Sequence, residues 1–333
     1  MKKKTLVLLV MSMVMVLLLT ACGGSNPKSN EALDGDSKTT EKYPVKPINI
    51  VVPFAAGGSV DMCARIIAPE AEKVLGQSVV VINKEGGGAS IGQTYVVNSK
   101  PDGYTLLALT SSYSTNVMGG TVAFEFDAIT PVSMHCFDPE LIVVSSDSDI
   151  KTMEDFLAKG KAEPLLNSTP GHLTSHHIGS MMFTDITGCQ FEYLHTNGSA
   201  EQVVQLAGGH AEVGMTTYGS AASLIDQGKI RALAVCDTER HPALPDIPTI
   251  SEACGIDLNY GAWRGFGVPK GTPDEVIETL QKAFKAALET DAVKEQFEKA
   301  GFPLVYKSSQ EFKEYLDADW ARLLKLEDLI NSK

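Results

Sequence analysis

Cysteine is scarce in this chain of 333 residues, and no two cysteines stand close together. Six occur, and none form a C-x-x-C motif, which excludes the usual zinc-ribbon and thiol–disulfide redox signatures. Because most of the cysteines after position 22 lie among apolar residues, we expect buried free thiols. One disulfide stays an alternative if the chain is exported. These five cysteines are Cys63, Cys136, Cys189, Cys236 and Cys254.

Positive charge is also in deficit. The sequence has 28 Lys and Arg against 41 Asp and Glu, a formal net charge of −13. Removing Met1–Ala21 takes away three Lys and no acid, so the balance becomes −16. Such a charge argues against nucleic acid and against an electrostatic membrane patch as partners. It leaves an anionic ligand possible, because a helix terminus and one or two local cations can bind one.

Apolar runs long enough to span a membrane are missing too. Lys2–Lys4 and the apolar run Leu6–Leu19 are typical of a secretory signal, since the run is too short for a transmembrane helix. Leu19–Cys22 resembles the bacterial lipobox, which predicts diacylation of Cys22. The alternative is an ordinary signal peptide with a chance cysteine. We therefore expect a lipoprotein signal over residues 1–21 and a flexible tether over 22–42, poor in apolar residues.

The most informative stretch is Pro44–Leu75. Ile48–Val52 predicts a buried parallel strand, Pro53–Ser59 a loop of small residues, and Val60–Leu75 a helix. Ser59 is the expected N-cap, and the backbone N–H groups at such a helix start can bind an anion. No Lys-Ser/Thr follows the glycines, and Asp61 replaces the last glycine of a hydrolase elbow. The stretch predicts an anion-binding loop without a nucleophile.

The remaining chain alternates short apolar runs with helical patterns. A second glycine loop, Asn83–Ser90, fails the dinucleotide fingerprint because Ile91 stands where glycine is needed. Thr110–Ser112 is a polar strand end of the kind that binds ligands in α/β proteins. Capping boxes are expected to start helices at Thr152, Thr272 and Ser308. Alternation of this type predicts a parallel or mixed sheet between helices.

These residues also resemble a known family. Tyr43–Asp61 is similar to the opening of the solute receptors of tripartite tricarboxylate transporters, the Bug family. The matching motifs run in family order over nearly all of Tyr43 to about Val305, so the resemblance is specific. The similarity continues in Asn83, Gly86–Gly88, Ile91–Gly92, Pro101–Leu106, Gly228–Val235, Leu244–Thr249 and Trp263.

The resemblance implies a type II periplasmic-binding-protein fold, an α/β architecture of two lobes. Each lobe would hold a mixed, mostly parallel sheet flanked by helices, with residues 43–144 and 260–333 in lobe 1 and 145–259 in lobe 2. It also implies a non-enzymatic receptor without cofactor or metal, expected as a monomer. The receptor would trap a small carboxylate (a di- or tricarboxylate, an acidic amino acid or a related organic acid) and pass it to membrane permease subunits. Acylated Cys22 would anchor it to the membrane outside the cytoplasm.

Family receptors hold a ligand carboxylate through the first glycine loop, partly by ordered water. Ser168–Gly171 matches a family helix start in the second lobe, so it should face that loop. His172 near that helix start is a further candidate for lining the cleft. The expected ligand-binding residues are Phe54, Ala55, Gly57, Gly58, Ser59, Asp61, Gly88, Ser111, Ser112, Ser168, Thr169, Gly171, His172, Thr196, Asn197, Gly198 and Arg264.

This chain departs from the family pattern at two places. His195–Gly198 replaces a common Pro-Tyr-Lys-Gly, which leaves the far end of the ligand undefined. Arg264 follows Trp263, where many members have a neutral residue. In the cleft Arg264 would bind a second carboxylate through two parallel hydrogen bonds. Otherwise it would be a surface residue on the back of its strand.

Other residues suggest alternatives. His172 and His176 have a metal-chelating spacing, but no H-E-x-x-H motif is present and we expect no metal. Asp61 as a general base is less well supported than Asp61 as an ionised structural acid. Tyr113 and Tyr218 could pack on an aromatic ligand or only support loops. A hydrolase on the same frame would need a nucleophile–base pair that the sequence does not offer, and a sensor for a membrane kinase is a further alternative.

Overall fold

The computed structural model describes residues 43–325 and 327–331. The predicted signal peptide, the lipidation site Cys22 and the tether lie outside these residues. The described residues form a ten-stranded sheet in which most strands alternate with helices. The strands are β1 (Ile48–Val52), β2 (Val79–Asn83), β3 (Thr105–Thr110), β4 (Ile129–Ser145), β5 (Leu165–Thr169), β6 (Phe191–His195), β7 (Val213–Thr217), β8 (Ile230–Val235), β9 (Gly261–Pro269) and β10 (Leu304–Lys307).

The helices flank this sheet, and a short 3₁₀ turn at Phe126–Ala128 precedes β4. They are α1 (Ser59–Leu75), α2 (Ser90–Val97), α3 (Ser112–Met118), α4 (Met153–Ala162), α5 (Ser175–Thr187), α6 (Ser199–Ala207), α7 (Tyr218–Asp226), α8 (Ile250–Cys254), α9 (Asp274–Glu289), α10 (Asp291–Ala300), α11 (Ser309–Leu324) and α12 (Glu327–Asn331).

Strand pairing divides the sheet into two groups that share β4. Strand group 1 contains β1, β2, β3, β9 and β10, in which β1 runs parallel to β2 and β3, and β9 runs antiparallel to β3. Strand group 2 contains β5–β8, in which β5 runs parallel to β6 and β7. The first part of β4 pairs antiparallel with β9 and β10, and its last part pairs with β7 and β8. A single strand therefore belongs to both groups.

The predicted β1–loop–α1 unit forms, with one correction at the start of the helix. β1 is buried along almost its whole length, as expected for a strand covered on both faces. Gly58, not Ser59, occupies the N-cap position, and no side chain caps the helix there. Ser59 is instead the first helical residue, and its hydroxyl accepts a hydrogen bond from Arg264 (Nη2–Oγ 3.0 Å) in place of a cap bond. Gly76 ends the helix in the left-handed conformation.

The other predicted helix starts are confirmed at two of three places. Thr152 and Ser308 form complete capping boxes with Asp155 and Glu311. The prediction at Thr272 is wrong, because α9 begins at Asp274 and the Thr272 hydroxyl donates to the carbonyl of Pro269 (2.8 Å). That bond closes the turn after β9, which places the threonine outside the helix.

Apolar residues fill both faces of each strand group. The largest cluster packs α1, α9 and α10 on β1 and β3, and α11 covers the opposite face through Phe312 and Leu316 near Trp263. All five cysteines of this part of the chain are free. Among residues 43–325 and 327–331, no helix has both the length and the apolar character that crossing a bilayer requires.

Candidate functional site

Two of the contacts between the strand groups involve the glycine loops, and the first lies at the start of α1. The N–H of Ala55 donates to the carbonyl of Asn197 (2.9 Å), and the N–H of Ser59 donates to Ser199 Oγ (3.0 Å). Gly198 lies against Phe54 and Ala55, where an added Cβ would be 3.5 Å from the Ala55 nitrogen. We call this contact, Phe54–Ser59 with Thr196–Ser199, the first seam.

Asp61 holds the first glycine loop in shape. Its carboxylate accepts hydrogen bonds from the N–H of Gly57, from Arg65 Nε and from Asn83 Nδ2, each at 2.9 Å. Burial alone would raise its pKa, but the bonds from Arg65, Gly57 and Asn83 lower it, so the group is ionised. Asp61 therefore acts on the loop, and it does not line the cavity described below.

The second contact lies at the other glycine loop. Gly88 has a φ of +61°, and a Cβ on it would stand only 2.1 Å from the carbonyl oxygen of His172. Asn116 Nδ2 donates to the carbonyl of Gly88 (2.9 Å), and the Thr115 hydroxyl donates to the carbonyl of Leu173. We call this contact, Gly88 and α3 with Gly171–Leu173, the second seam. It depends on close backbone packing that only glycine permits.

A cavity lies between the seams. About 430 Å³ of empty space lies between its walls, part of it open to solvent. Its walls come from α1, α3, α5, α6 and β9. The lining residues are Phe54, Gly58, Ser59, Val60, Thr110, Ser112, Pro170, Thr174, Ser175, His176, Ser199, Ala262, Trp263 and Arg264.

Arg264 is a buried cation in the wall of this cavity. Only 2 % of the residue is exposed, which excludes the surface position. Its guanidinium donates to Ser59 Oγ (Nη2, 3.0 Å), Thr217 Oγ1 (Nη2, 3.4 Å) and Cys136 Sγ (Nη1, 3.2 Å). In the described chain its Nε has no hydrogen-bonding partner. Weak hydroxyl and thiol partners leave this guanidinium able to bind a carboxylate in their place.

The positive charge of Arg264 is only partly balanced by its surroundings. Asp138 Oδ2 lies 3.6 Å from its Nη1. Burial raises the pKa of Asp138 to about 6, although the Arg264 charge acts to lower it. Burial lowers the pKa of Arg264, but the neighbouring Cys136, Cys63 and Asp138 raise it overall, so the guanidinium stays charged. Burial also acts to raise the pKa of the Cys136 thiol, yet the hydrogen bond from Cys63 and the Arg264 charge lower it.

Asp138 was not predicted from the sequence, and neither were Glu140 and the cavity residue Ser199. Both acids lie in a part of β4 that was not predicted as strand, on either side of Pro139. Two acids spaced by two residues beside the apolar run Leu141–Val144 were the available signal, because such spacing puts them on one face of a strand. Ser199 carried no signal beyond its position at the start of a helix.

A protein-family model, described as tripartite tricarboxylate transporter family receptor, matches residues 63–331. The chain belongs to this family. Its members are solute-binding proteins and not enzymes, so the protein is a solute-binding receptor. Protein BugT of Bordetella pertussis is 30% identical over 272 residues, which cover 79% of this chain and 82% of that protein.

Solved structures show that the receptor has the type II periplasmic-binding-protein fold. Rpa4515 of R. palustris, solved with adipate, has a TM-score of 0.81 at 27% identity, covering 86% of this chain and 98% of that one. MatC of Rhodopseudomonas palustris, solved with bound malate, has a TM-score of 0.81 at 25% identity, covering 86% of this chain and all of that one.

The expected site residues of the receptor divide into two sets. Five line the cavity: Phe54, Gly58, Ser59, Ser112 and Arg264. The others border the seams or support the strand ends, and the cavity lining does not include them. They are Ala55, Gly57, Asp61, Gly88, Ser111, Ser168, Thr169, Gly171, His172, Thr196, Asn197 and Gly198.

The histidines form a ring cluster at the second seam. His172, His177 and His195 have centroids 4.9 to 5.6 Å apart, and Thr169 Oγ1 lies 2.6 Å from His195 Nδ1. Within the described residues no group of three or more His, Cys, Asp or Glu is arranged to hold a metal ion.

Neither candidate tyrosine lines the cavity. Tyr113 stacks on Phe124 and donates to the carbonyl of Phe126 (2.9 Å), so it supports the chain before β4. Tyr218 packs on His241, outside the cavity.

Proposed function

We propose that this receptor is anchored outside the cytoplasm by lipidated Cys22 and captures a small carboxylate for a tripartite tricarboxylate-type permease. The ligand binds between two lobes, residues 43–144 with 260–333 and residues 145–259, in the cavity bounded by the two seams. The signal-like N-terminus and the lipobox-like Leu19–Cys22 support the export and the anchor.

The observation that carries the proposal is the buried guanidinium of Arg264 in the cavity wall. A charged group held at 2 % exposure by two hydroxyls, a thiol and a carboxylate 3.6 Å away is poorly compensated. A ligand carboxylate would supply two charge-assisted hydrogen bonds, each worth about 1.5–3 kcal/mol. The relatives solved with adipate and with malate support a carboxylate, since both molecules are dicarboxylic acids.

Capture requires the seams to separate, because they lie on two sides of the cavity. In the joined form the N–H groups of Ala55 and Ser59 are bonded to Asn197 and Ser199 across the first seam. We infer that those two amides hold the lobes together, while Arg264 and the cavity hydroxyls bind the carboxylate. This assigns the loop a different role from the direct anion binding expected from its sequence.

Thermal-shift measurements on the purified protein test the proposal. The panel is propionate, succinate, glutarate, malate, adipate, citrate, aspartate and glutamate. An acid present at a hundred times its dissociation constant adds about 2.7 kcal/mol of stability. Arg264→Gln, combined with Asp138→Asn so that no buried acid is left unpaired, should abolish the shift. A full shift in that double variant, or no shift with any acid, would reject the proposal.

The anchor is tested separately. Cys22→Ser, expressed in a bacterium with a lipoprotein pathway, should release the protein from the membrane fraction. Mass spectrometry of the unaltered protein should find Cys22 as an acylated N-terminus. If the unaltered protein is also absent from the membrane fraction, the proposed lipid anchor is wrong.

A further inference from the structure

Two buried acids face the one guanidinium of the cavity. Asp138 and Glu140 lie two residues apart on β4 and are both fully buried. Of the ion pairs in the described chain, Asp138 has one with Arg264 (3.6 Å) and Glu140 has one with the ring of His176 (Nε2–Oε1 3.6 Å). Arg264 can therefore offset one carboxylate, and the other depends on the histidine.

His176 does not supply that cation, because the buried ring is neutral, and Gln202 fixes which of its nitrogens carries the hydrogen. The Gln202 amide nitrogen donates to the carbonyls of Ser168 and Met215, both at 2.8 Å, so its oxygen must accept. That oxygen lies 2.8 Å from His176 Nδ1, which places the ring hydrogen on Nδ1. Burial lowers the pKa of His176 to about 4. A neutral ring thus presents an unprotonated Nε2 to the Glu140 carboxyl.

With Glu140 ionised, the atoms around this pair are acceptors without donors. Among the described residues, both carboxyl oxygens of Glu140 and Oδ1 of Asp138 lack a hydrogen bond of ordinary geometry, although the Ser175 hydroxyl is close enough to lower the pKa of Glu140. Buried polar groups left in this state cost about 1–3 kcal/mol each, and more when charged. A group rich in N–H donors and carrying positive charge would satisfy them.

These acids lie directly behind the cavity wall and do not line it. His176 and Arg264, the ion-pair partners of the two acids, both line it, and so does Ser175 beside Glu140. A ligand whose carboxylate is bound by Arg264 would have its neighbouring atoms against this wall.

We propose that Glu140, with His176 and Asp138, forms a subsite for a ligand ammonium group, so that the receptor takes an amino acid. An ammonium has three N–H donors and no acceptor, which complements a carboxylate and a bare ring nitrogen. A second ligand carboxylate at the same place would meet two acids. The inference rests on the proposed function, because Arg264 must hold the ligand carboxylate.

Isothermal titration of matched acids tests the subsite. The pairs are L-aspartate with succinate, L-glutamate with glutarate, and L-alanine with propionate. In at least one pair the amino acid should bind tenfold or more tightly than its partner. Glu140→Gln should weaken that amino acid at least tenfold and its partner less than threefold. The control Glu192→Gln, at an exposed position on β6, should change neither.

A second readout needs no variant. Burial and the nearby Asp138 raise the pKa of Glu140 well above its usual value, while Arg264 and Ser175 act to lower it. His176, Cys236 and Tyr260 also face it. The raised pKa favours the protonated form of Glu140 in the empty receptor, whereas an ammonium favours the carboxylate, so binding of an amino acid should release a proton. Titrations in phosphate and in Tris buffer should show this release for the amino acid and none for its partner.

The outcomes are separable. Equal binding of both members in every pair, an equal loss on Glu140→Gln, or no proton release would overturn the subsite while leaving carboxylate capture intact. Failure of every acid to bind would reject the proposed function itself and the subsite with it.

Discussion

The two seams between the strand groups are held by different kinds of interaction. The first is made of directional hydrogen bonds, from Ala55 to Asn197 and from Ser59 to Ser199. The second depends on shape, because the backbone of Gly88 meets the carbonyl of His172 with no room for a side chain. The first seam adjoins the charged wall with Arg264, whereas the second adjoins a cluster of histidine rings. On the proposed function, the side of the cavity at the first seam would recognise the ligand by charge, and the side at the second seam would close by shape.

Removing the cation beside the first seam should have the largest effect. In the double variant Arg264→Gln with Asp138→Asn, two charge-assisted bonds to the ligand are lost, so affinity should fall at least about 100-fold. Isothermal titration with the acid that gives the largest thermal shift measures this. A matched Arg65→Gln, at the outer end of the Asp61 network, should cost far less. Comparable losses in both would mean that any cation near the first glycine loop supports binding, and Arg264 would lose its assigned role.

A methyl group at the second seam should act by shape alone. In Gly88→Ala the new Cβ would overlap the His172 carbonyl oxygen, and such overpacking costs about 1–3 kcal/mol. We expect ligand affinity to fall about 10- to 100-fold. Gly120→Ala is the control, because Gly120 has nearly the same φ (+62°) and open space around it. If the two variants bind equally, backbone strain and not closure explains the loss.

Acid should weaken the second seam more than the first. Burial, with the charges of His195 and His172, lowers the pKa of His177 to about 3, and its Nδ1 accepts the N–H of Leu173 (3.0 Å). Because the unfolded histidine titrates near 6.5, this contribution is complete above that pH and is lost as the pH falls toward 3.

The measurement for this prediction is denaturant unfolding of the protein and of His177→Asn at pH 7 and pH 5. The unaltered protein should lose about 2 kcal/mol more stability than the variant over that interval. His210→Asn, at an exposed position, should follow the unaltered protein. Parallel losses in all three proteins would refute the assignment to His177.

The smallest effect is expected from Ser199→Ala. The Ser199 hydroxyl joins the first seam through neutral hydrogen bonds with the N–H (3.0 Å) and, at longer range, the hydroxyl (3.3 Å) of Ser59, and their loss should cost about 1 kcal/mol. Affinity should therefore fall about three- to sixfold, because the joined form is less favoured. A rise in affinity would mean instead that the ligand displaces Ser199 from the N–H of Ser59, and the loop would then bind the anion directly.

Local patterns predicted much of this fold. β1, α1 and the capping boxes at Thr152 and Ser308 depend on residues close in sequence, where propensity and capping decide the outcome. The first half of β4 escaped prediction because prolines and charged residues interrupt its pattern. Its strand conformation is imposed by pairing with β9 and β10, which are distant in the chain.

The site was predictable only in outline, for the same reason. A glycine loop at a helix start indicates an anion, but the partners of Ala55 and Ser59 come from residues more than 130 positions away. From the sequence, Arg264 could have faced either side of its strand. In the structure it faces inward and is buried against Cys136 and Thr217. The surroundings of Glu140 could not be predicted either, because they depend on the strand conformation of β4 and on the position of the His176 ring.

The shared strand has a last consequence. Asp138 and Glu140 stand where β4 exchanges one set of neighbours for the other, next to an irregularity in its register at Ile142 and Val143. The chain crosses between the lobes here and again near residue 260, so a swing of one lobe against the other must be absorbed in part by the torsion angles of this short piece of β4, which carries both acids. Occupancy and domain angle would then be coupled at one point, so a probe of either should report on both.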